Sequence, residues 1–194
     1  MPGVRLQPPD TMVTERLQLI PATVALCQAE LIGREAVARA LGAAVPISWP
    51  PPVLERDDVE RIHRQLASDP RARVWTLHYL LRASPGADDL PALVGVAGFG
   101  GPPSPEGEVQ IGYAVALEHQ GRGYATEAVT ALIARAFEDP GVTVVVATTF
   151  PTLASSIGVL RKTGFMHVGD DRDTLLMRFE RRRDAARPTD EAAA

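Results

Sequence analysis

The run Gln120-Gly121-Arg122-Gly123-Tyr124-Ala125 has the residue types needed to hold a phosphate. Glycine lets a backbone come close to a ligand and takes positive φ without strain, and Arg122 adds a cation. The next fifteen or so residues decide how the loop can be used. Ala125, Ala128, Val129, Leu132, Ile133, Ala136 and Phe137 recur at the spacing of one helical face, with Glu127, Thr130, Arg135 and Glu138 between them. Asp139-Pro140-Gly141 then stops the helix. The spacing predicts a helix that starts close to Gly123. A helix start leaves four N–H groups without partners and carries a partial positive charge, which suits a pyrophosphate. A dinucleotide loop would want a third glycine and an acidic residue about 20 residues further on, and Thr126 and Thr143 stand there. A Walker loop would end in Gly-Lys-Ser/Thr, which is absent. On the loop alone, a plain strand-to-helix turn stays open.

The flanking sequence breaks the tie. The run Gly107-Glu108-Val109-Gln110-Ile111-Gly112-Tyr113, the loop with Thr126-Glu127-Ala128, and Ser156-Ile157-Gly158-Val159-Leu160-Arg161-Lys162-Thr163-Gly164-Phe165 together resemble the GNAT superfamily of N-acetyltransferases. Gln120, Gly123 and Ala125 fill the places of its Q/R-x-x-G-x-G/A signature. Gly95-Val96-Ala97-Gly98-Phe99 and Trp49-Pro50-Pro51 point within it to the RimJ/RimL group. The resemblance covers roughly residues 12–180, leaving residues 1–11 as an extension and 181–194 as a polar tail.

The resemblance implies acetyl-CoA as cosubstrate and a primary amine as acceptor. The protein must then orient two substrates, stabilise an oxyanion and manage two protons. Residues Gln120, Gly121, Arg122, Gly123, Tyr124, Ala125 and Thr126 are expected to hold the pyrophosphate, and the strand edge at Tyr113, Ala114 and Val115 the pantetheine and an oxyanion donor. Arg161 is expected near the nucleotide phosphates, with a solvated helix face as its plainer reading, and Trp49 and Gln110 beside the acceptor, with cover for the core as the plainer reading of Trp49. Three departures bear on catalysis. Gln110 stands where relatives carry a glutamate and cannot act as a base, so Glu108, on the same face by strand alternation, becomes the candidate; the plainer reading is a solvated glutamate beside a turn. Leu153 replaces a usual asparagine and Leu160 a usual tyrosine. Ser156 is then the candidate to hydrogen-bond the sulfur, with a helix-start cap as its competing role. These losses keep a non-catalytic acyl-CoA-binding domain in play as the alternative. The short supply of bases favours an α-amine of a peptide, protein N-terminus or small molecule.

The elements needed to position these groups are readable in outline. Residues 16–20 alternate like a strand, 23–41 carry helical spacing broken at Gly33, and the proline-rich stretch 45–52 excludes regular structure. A helix is expected over 56–67, then extended segments at 73–82, 93–100 and 108–117, an antiparallel meander. The β-branched run at 142–148 reads as a buried strand, parallel to 108–117 through the intervening helix. A helix over 154–163 and strands at 165–168 and 174–179 close the chain. The fold class is α/β with a mixed sheet flanked by helices, and the family resemblance adds that the two parallel strands splay apart.

Composition agrees with one domain: 194 residues, 45% hydrophobic. A net charge of -4 argues against a nucleic-acid binder. Cys27 stands alone, excluding an internal disulfide, and His63, His78, His119 and His167 show no metal-ligand spacing, so no metal is expected. His119 is expected to be exposed. No apolar run is long enough for a membrane span, and residues 1–9 lack a signal-peptide core, which makes the cytoplasm the expected compartment. A dimer stays possible.

Overall fold

The computed structural model describes residues 10–83, 90–171 and 173–184; residues 1–9 and 185–194 of the expected extension and tail lie outside this range. One sheet runs through the molecule in the order β1-β2-β3-β4-β5-β6-β8-β7. Its strands are β1 (Met12–Val13), β2 (Leu17–Pro21), β3 (Leu77–Arg82), β4 (Ala92–Phe99), β5 (Glu108–Val115), β6 (Val144–Thr149), β7 (Met166–Asp170) and β8 (Met177–Arg182). Helices α1 (Val24–Ile32), α2 (Arg34–Leu41) and α3 (Arg56–Ser68) pack over one core, and α4 (Tyr124–Glu138) and α5 (Ala154–Lys162) over another.

The meander β3-β4-β5 is antiparallel as expected, and the crossover through α4 makes β6 parallel to β5. β4 is buried along its whole length, and the backbones on either side come so close that a side chain at Gly98 would collide with the Thr76 carbonyl. The expected apolar face of α4 is the one it buries, with Ala128, Val129, Leu132 and Ala136 all 0% exposed. Each such leucine or valine contributes about 1.5–3 kcal/mol by leaving water.

The feature that makes a site is where one pairing stops. β5 and β6 pair only from Glu108 with Val144 to Gln110 with Val146. Beyond that, β5 keeps β4 on its outer side through Val115, and β6 keeps β8 through Thr149. The two inner edges part into a cleft.

Two expectations need correction. The strand expected from residue 73 begins at Leu77, because Asp69 caps a 3-10 turn over Pro70–Trp75 and accepts from the Arg71 N–H at 3.0 Å. The arginines at 181–183 are not a tail. Arg181 and Arg182 pair with Val145 and Val144, and Arg183 donates to the carbonyls of Phe137, Val142 and Asp139 at 2.6–2.9 Å. It also covers the Phe137 ring at 4.9 Å, so a cation closes the end of α4 where carbonyls lack partners.

Candidate active site

A cavity of about 430 Å³ lies where β5 and β6 part. Gln110, Gly112 and Tyr113 line it from β5, Ala147 and Thr148 from β6, and Leu153 and Ser156 from α5 and the residue before it. The opposite wall comes from Val53 and Leu54, from Asp58, Arg61 and Ile62 on α3, and from β3 and β4. A second hollow of about 580 Å³, between residues 10–14 and the outer face of α4, holds none of the expected site residues.

Ser156 stands two residues after the first residue of α5, where Leu153 occupies the cap position without a side-chain hydrogen bond. Neither Ser155 nor Ser156 caps the helix. The Ser156 hydroxyl instead lies 3.0 Å from the hydroxyl of Tyr113, which also reaches the Ser156 carbonyl at 3.1 Å. The phenol has one proton for two acceptors. When it donates to Oγ, the serine proton is free to point into the cavity. Burial raises the Tyr113 pKa against the opposing effect of Ser156, so the phenol keeps its proton at neutral pH. Sequence reading placed Tyr113 in the site for its backbone and missed this side chain.

At the far end of β5 the glycine loop has the geometry of an anion cradle. Gly121 and Gly123 sit at φ +73° and +82°, and Gly123 starts α4 with no side chain capping the first turn. The loop is braced from the turn between β1 and β2. Arg16 donates to the Arg122 carbonyl at 2.9 Å, lies over the Tyr124 ring at 5.0 Å, and pairs with Glu127 at 2.7 Å. The Glu127 carboxylate also accepts from the Thr14 hydroxyl at 2.6 Å and the Arg16 N–H at 2.8 Å. Burial would raise the Glu127 pKa, but these donors and the Arg16 charge hold it below the usual range. Gln120 turns back to donate to the Val115 carbonyl at 3.0 Å.

The family described as "Acetyltransferase (GNAT) domain" matches residues 16–166. The chain belongs to that family. A putative GnaT-family acetyltransferase from Bordetella pertussis shares the fold at a TM-score of 0.62 and 24% identity, over 88% of this chain and 98% of the other. The RimL ribosomal L7/L12 alpha-N-protein acetyltransferase gives 0.59 and 16%, over 89% and 93%. Mycobacterium smegmatis RimJ in complex with CoA-disulfide gives 0.57 and 20%, over 86% and 81%. Among curated proteins there is no match.

As a GNAT acetyltransferase the protein takes its acetyl group from acetyl-CoA. The cradle at residues 120–126 fits that cosubstrate's pyrophosphate, with an uncapped helix start and two left-handed glycines. Arg161 is exposed in the last turn of α5 and does not line the cavity. Tyr113, Ala114 and Val115 lie on the stretch of β5 that β6 has left.

On the acceptor side the structure separates residues that the sequence had grouped. Gln110 lines the cavity, but Glu108 does not. Both Glu108 carboxylate oxygens are taken by the Arg178 guanidinium of β8, at 2.5 and 3.3 Å. Trp49 is also absent from the lining. It is buried among α1, α3 and β3, and its indole donates to Glu30 at 2.8 Å. The proline-rich segment reaches the cavity through Val53 and Leu54 instead. His119 is half-buried rather than exposed, and its Nδ1 is buried without a partner. Burial and the neighbouring Arg122 lower its pKa. Cys27 is a buried core thiol pushed up to about 11 by burial and by Glu30. Among the described residues no three His, Cys, Asp or Glu side chains are grouped to hold a metal ion, and no helix is long and apolar enough to cross a membrane.

Proposed function

We propose that this GNAT acetyltransferase acetylates α-amines, such as a peptide or protein N-terminus or an amino-acid-like small molecule. Acetyl-CoA supplies the thioester carbonyl. Residues 120–126 hold its pyrophosphate, and the open β5 edge at Tyr113, Ala114 and Val115 offers backbone groups to the pantetheine and the developing oxyanion. Ser156 donates a hydrogen bond to the sulfur, with Tyr113 orienting the serine hydroxyl.

One observation carries the choice of amine: among the described residues no free carboxylate stands at the reacting end of the cavity. Gln110 is an amide, Glu108 is occupied by Arg178, and Asp58 is paired with Arg61 at 3.1 Å. Deprotonating a lysine side chain at pH 7 costs about 4.6 kcal/mol, and an α-amine about 1.1 kcal/mol. A site without a base of its own therefore favours the α-amine by more than about a hundredfold in reactive species. The similarity in fold to an alpha-N-protein acetyltransferase accords with this reading. Family membership favours turnover over a binding-only role. The test is a matched pair of peptides, one with only an α-amine and one with only an ε-amine, compared by kcat/KM between pH 6.5 and 9. The α-amine peptide is expected to lead at pH 7, with the gap narrowing as pH rises. A faster ε-amine peptide at pH 7 overturns the proposal.

A further inference from the structure

We infer that the acceptor carries an apolar side chain next to its amine, as in a peptide or amino-acid amide beginning with Leu, Met or Phe. The inference rests on the α-amine reading of the same cavity.

Topology divides the cavity lining into two halves. Ile111, Gly112, Tyr113 and Ser156 belong to the cleft between the parted strands, where the thioester must lie. The facing wall, formed by α3, the segment before it, β3 and β4, is left for the acceptor. Its side chains are mainly apolar: Val53, Leu54, Ile62, Leu77 and Val96. At the rim, Val53 is 59% exposed and Phe150 is 50% exposed. A single exposed apolar residue needs no explanation. Three large ones lining one cavity, with Leu153 47% exposed beside Phe150 in the segment after β6 and Val53 in the segment before α3, are the pattern of a binding surface.

Charge narrows the choice. Among the described residues lining the cavity only Asp58 and Arg61 are charged, and they pair with each other at 3.1 Å. A polyamine or a lysine-rich segment would meet one carboxylate already opposed by a guanidinium. An acidic segment would meet one guanidinium already opposed by a carboxylate. A lone amine beside an uncharged apolar group leaves that pair intact and buries apolar surface on both sides. The volume of about 430 Å³ is in the range of small-ligand sites, enough for one residue and the reacting ends.

The experiment measures kcat/KM for acetylation of short peptides identical except for a first residue of Leu, Phe, Ser, Glu or Lys, alongside spermidine. Leu and Phe are expected to exceed Ser by roughly tenfold to a hundredfold, the range for burying one such side chain. Val53→Asp, at an exposed position that does not hold the core, should bring the Leu-to-Ser ratio towards one while the Kd for acetyl-CoA stays unchanged. A flat series with turnover intact overturns this inference and leaves α-amine transfer standing. So does a series led by Glu, Lys acetylated on its α-amine, or spermidine. A ratio untouched by Val53→Asp in a folded, CoA-binding variant also overturns it. Transfer to the Lys ε-amine ahead of every α-amine overturns the reading beneath it, and no acetylation of any acceptor overturns both.

Discussion

Removing the Arg16 brace should loosen the cofactor loop and weaken acetyl-CoA binding without touching the reacting groups. Arg16→Ala deletes the pair with Glu127, the bond to the Arg122 carbonyl and the cover over Tyr124. A charge-assisted hydrogen bond is worth about 1.5–3 kcal/mol, and an exposed ion pair about 0–1 kcal/mol. Arg16 is 44% exposed and Glu127 14% exposed, so solvent screening places the combined loss between these, at about 1–2 kcal/mol. For a chain of this length, that lowers Tm by about 2–8 °C. If the same free energy holds the loop in its binding arrangement, the Kd for acetyl-CoA rises roughly fivefold to thirtyfold. The kcat at saturation should change little. Arg16→Lys keeps a charge for Glu127 but cannot also span to the Arg122 carbonyl, so it should recover only part of the affinity. Calorimetry with CoA, thermal melts and steady-state kinetics on the three proteins give the answer. A drop in Tm with Kd within twofold of wild type would refute the reasoning and reduce the brace to a structural contact.

Two further predictions concern a half-buried hydroxyl and a buried imidazole. Ser156→Ala should lower kcat by roughly tenfold to a hundredfold, the equivalent of one hydrogen bond to a charged leaving group, with the Kd for CoA nearly unchanged. Tyr113→Phe, which removes only the group orienting Ser156, should lower it less; wild-type turnover of Ser156→Ala where chemistry limits the rate excludes the serine. His78 is 1% exposed, and burial, partly offset by a bond to the Thr76 carbonyl, pushes its pKa down to about 4. The unfolded chain takes up that proton near pH 6.5 and the folded chain only near pH 4, so stability is lost as pH falls through this window, by up to about 3 kcal/mol. Urea unfolding between pH 7 and 4 should show this slope and His78→Asn a flatter one; equal slopes would remove His78 as its source.

What the sequence made legible is what contiguous residues encode. The α4 face, its stop at Asp139-Pro140-Gly141 and the glycines before it lie in one run, and helix, cap and loop were found within a residue or two. The parallel relation of β5 and β6 followed from the handedness and length of a strand-helix-strand crossover. The place of β8 between β6 and β7 did not, because an antiparallel strand is placed by the partner edge it meets rather than by its own pattern. Arg181–Arg183 looked like a solvated tail for the same reason. The carbonyls that Arg183 satisfies belong to residues more than forty positions earlier. The site divides along the same line. The pair of Tyr113 with Ser156 spans 43 positions and that of Glu108 with Arg178 spans 70, so strand alternation could align Glu108 with Gln110 but could not reveal a guanidinium two strands away.

The misplacement of Trp49 leads furthest into function. A tryptophan in a proline-rich segment reads equally well as a pocket wall or as an anchor, because both use the same large ring with one polar handle. Here the handle decides, since burial of the indole requires a partner and Glu30 supplies it at 2.8 Å. Burial raises the Glu30 pKa and Trp49 holds it back, as expected for a carboxyl taken from water but given a donor. One residue earlier, the Ser48 hydroxyl and N–H both donate to Glu118, the N–H at 3.0 Å, and Ser48 takes the Glu118 pKa down to about 2. Glu118 stands two residues before Gln120. The segment that leads to Val53 and Leu54 at the cavity is thus pinned on one side into the core and on the other beside the glycine loop. The cavity wall that carries Val53 and Leu54 and the glycine loop before α4 are thereby held to a common frame.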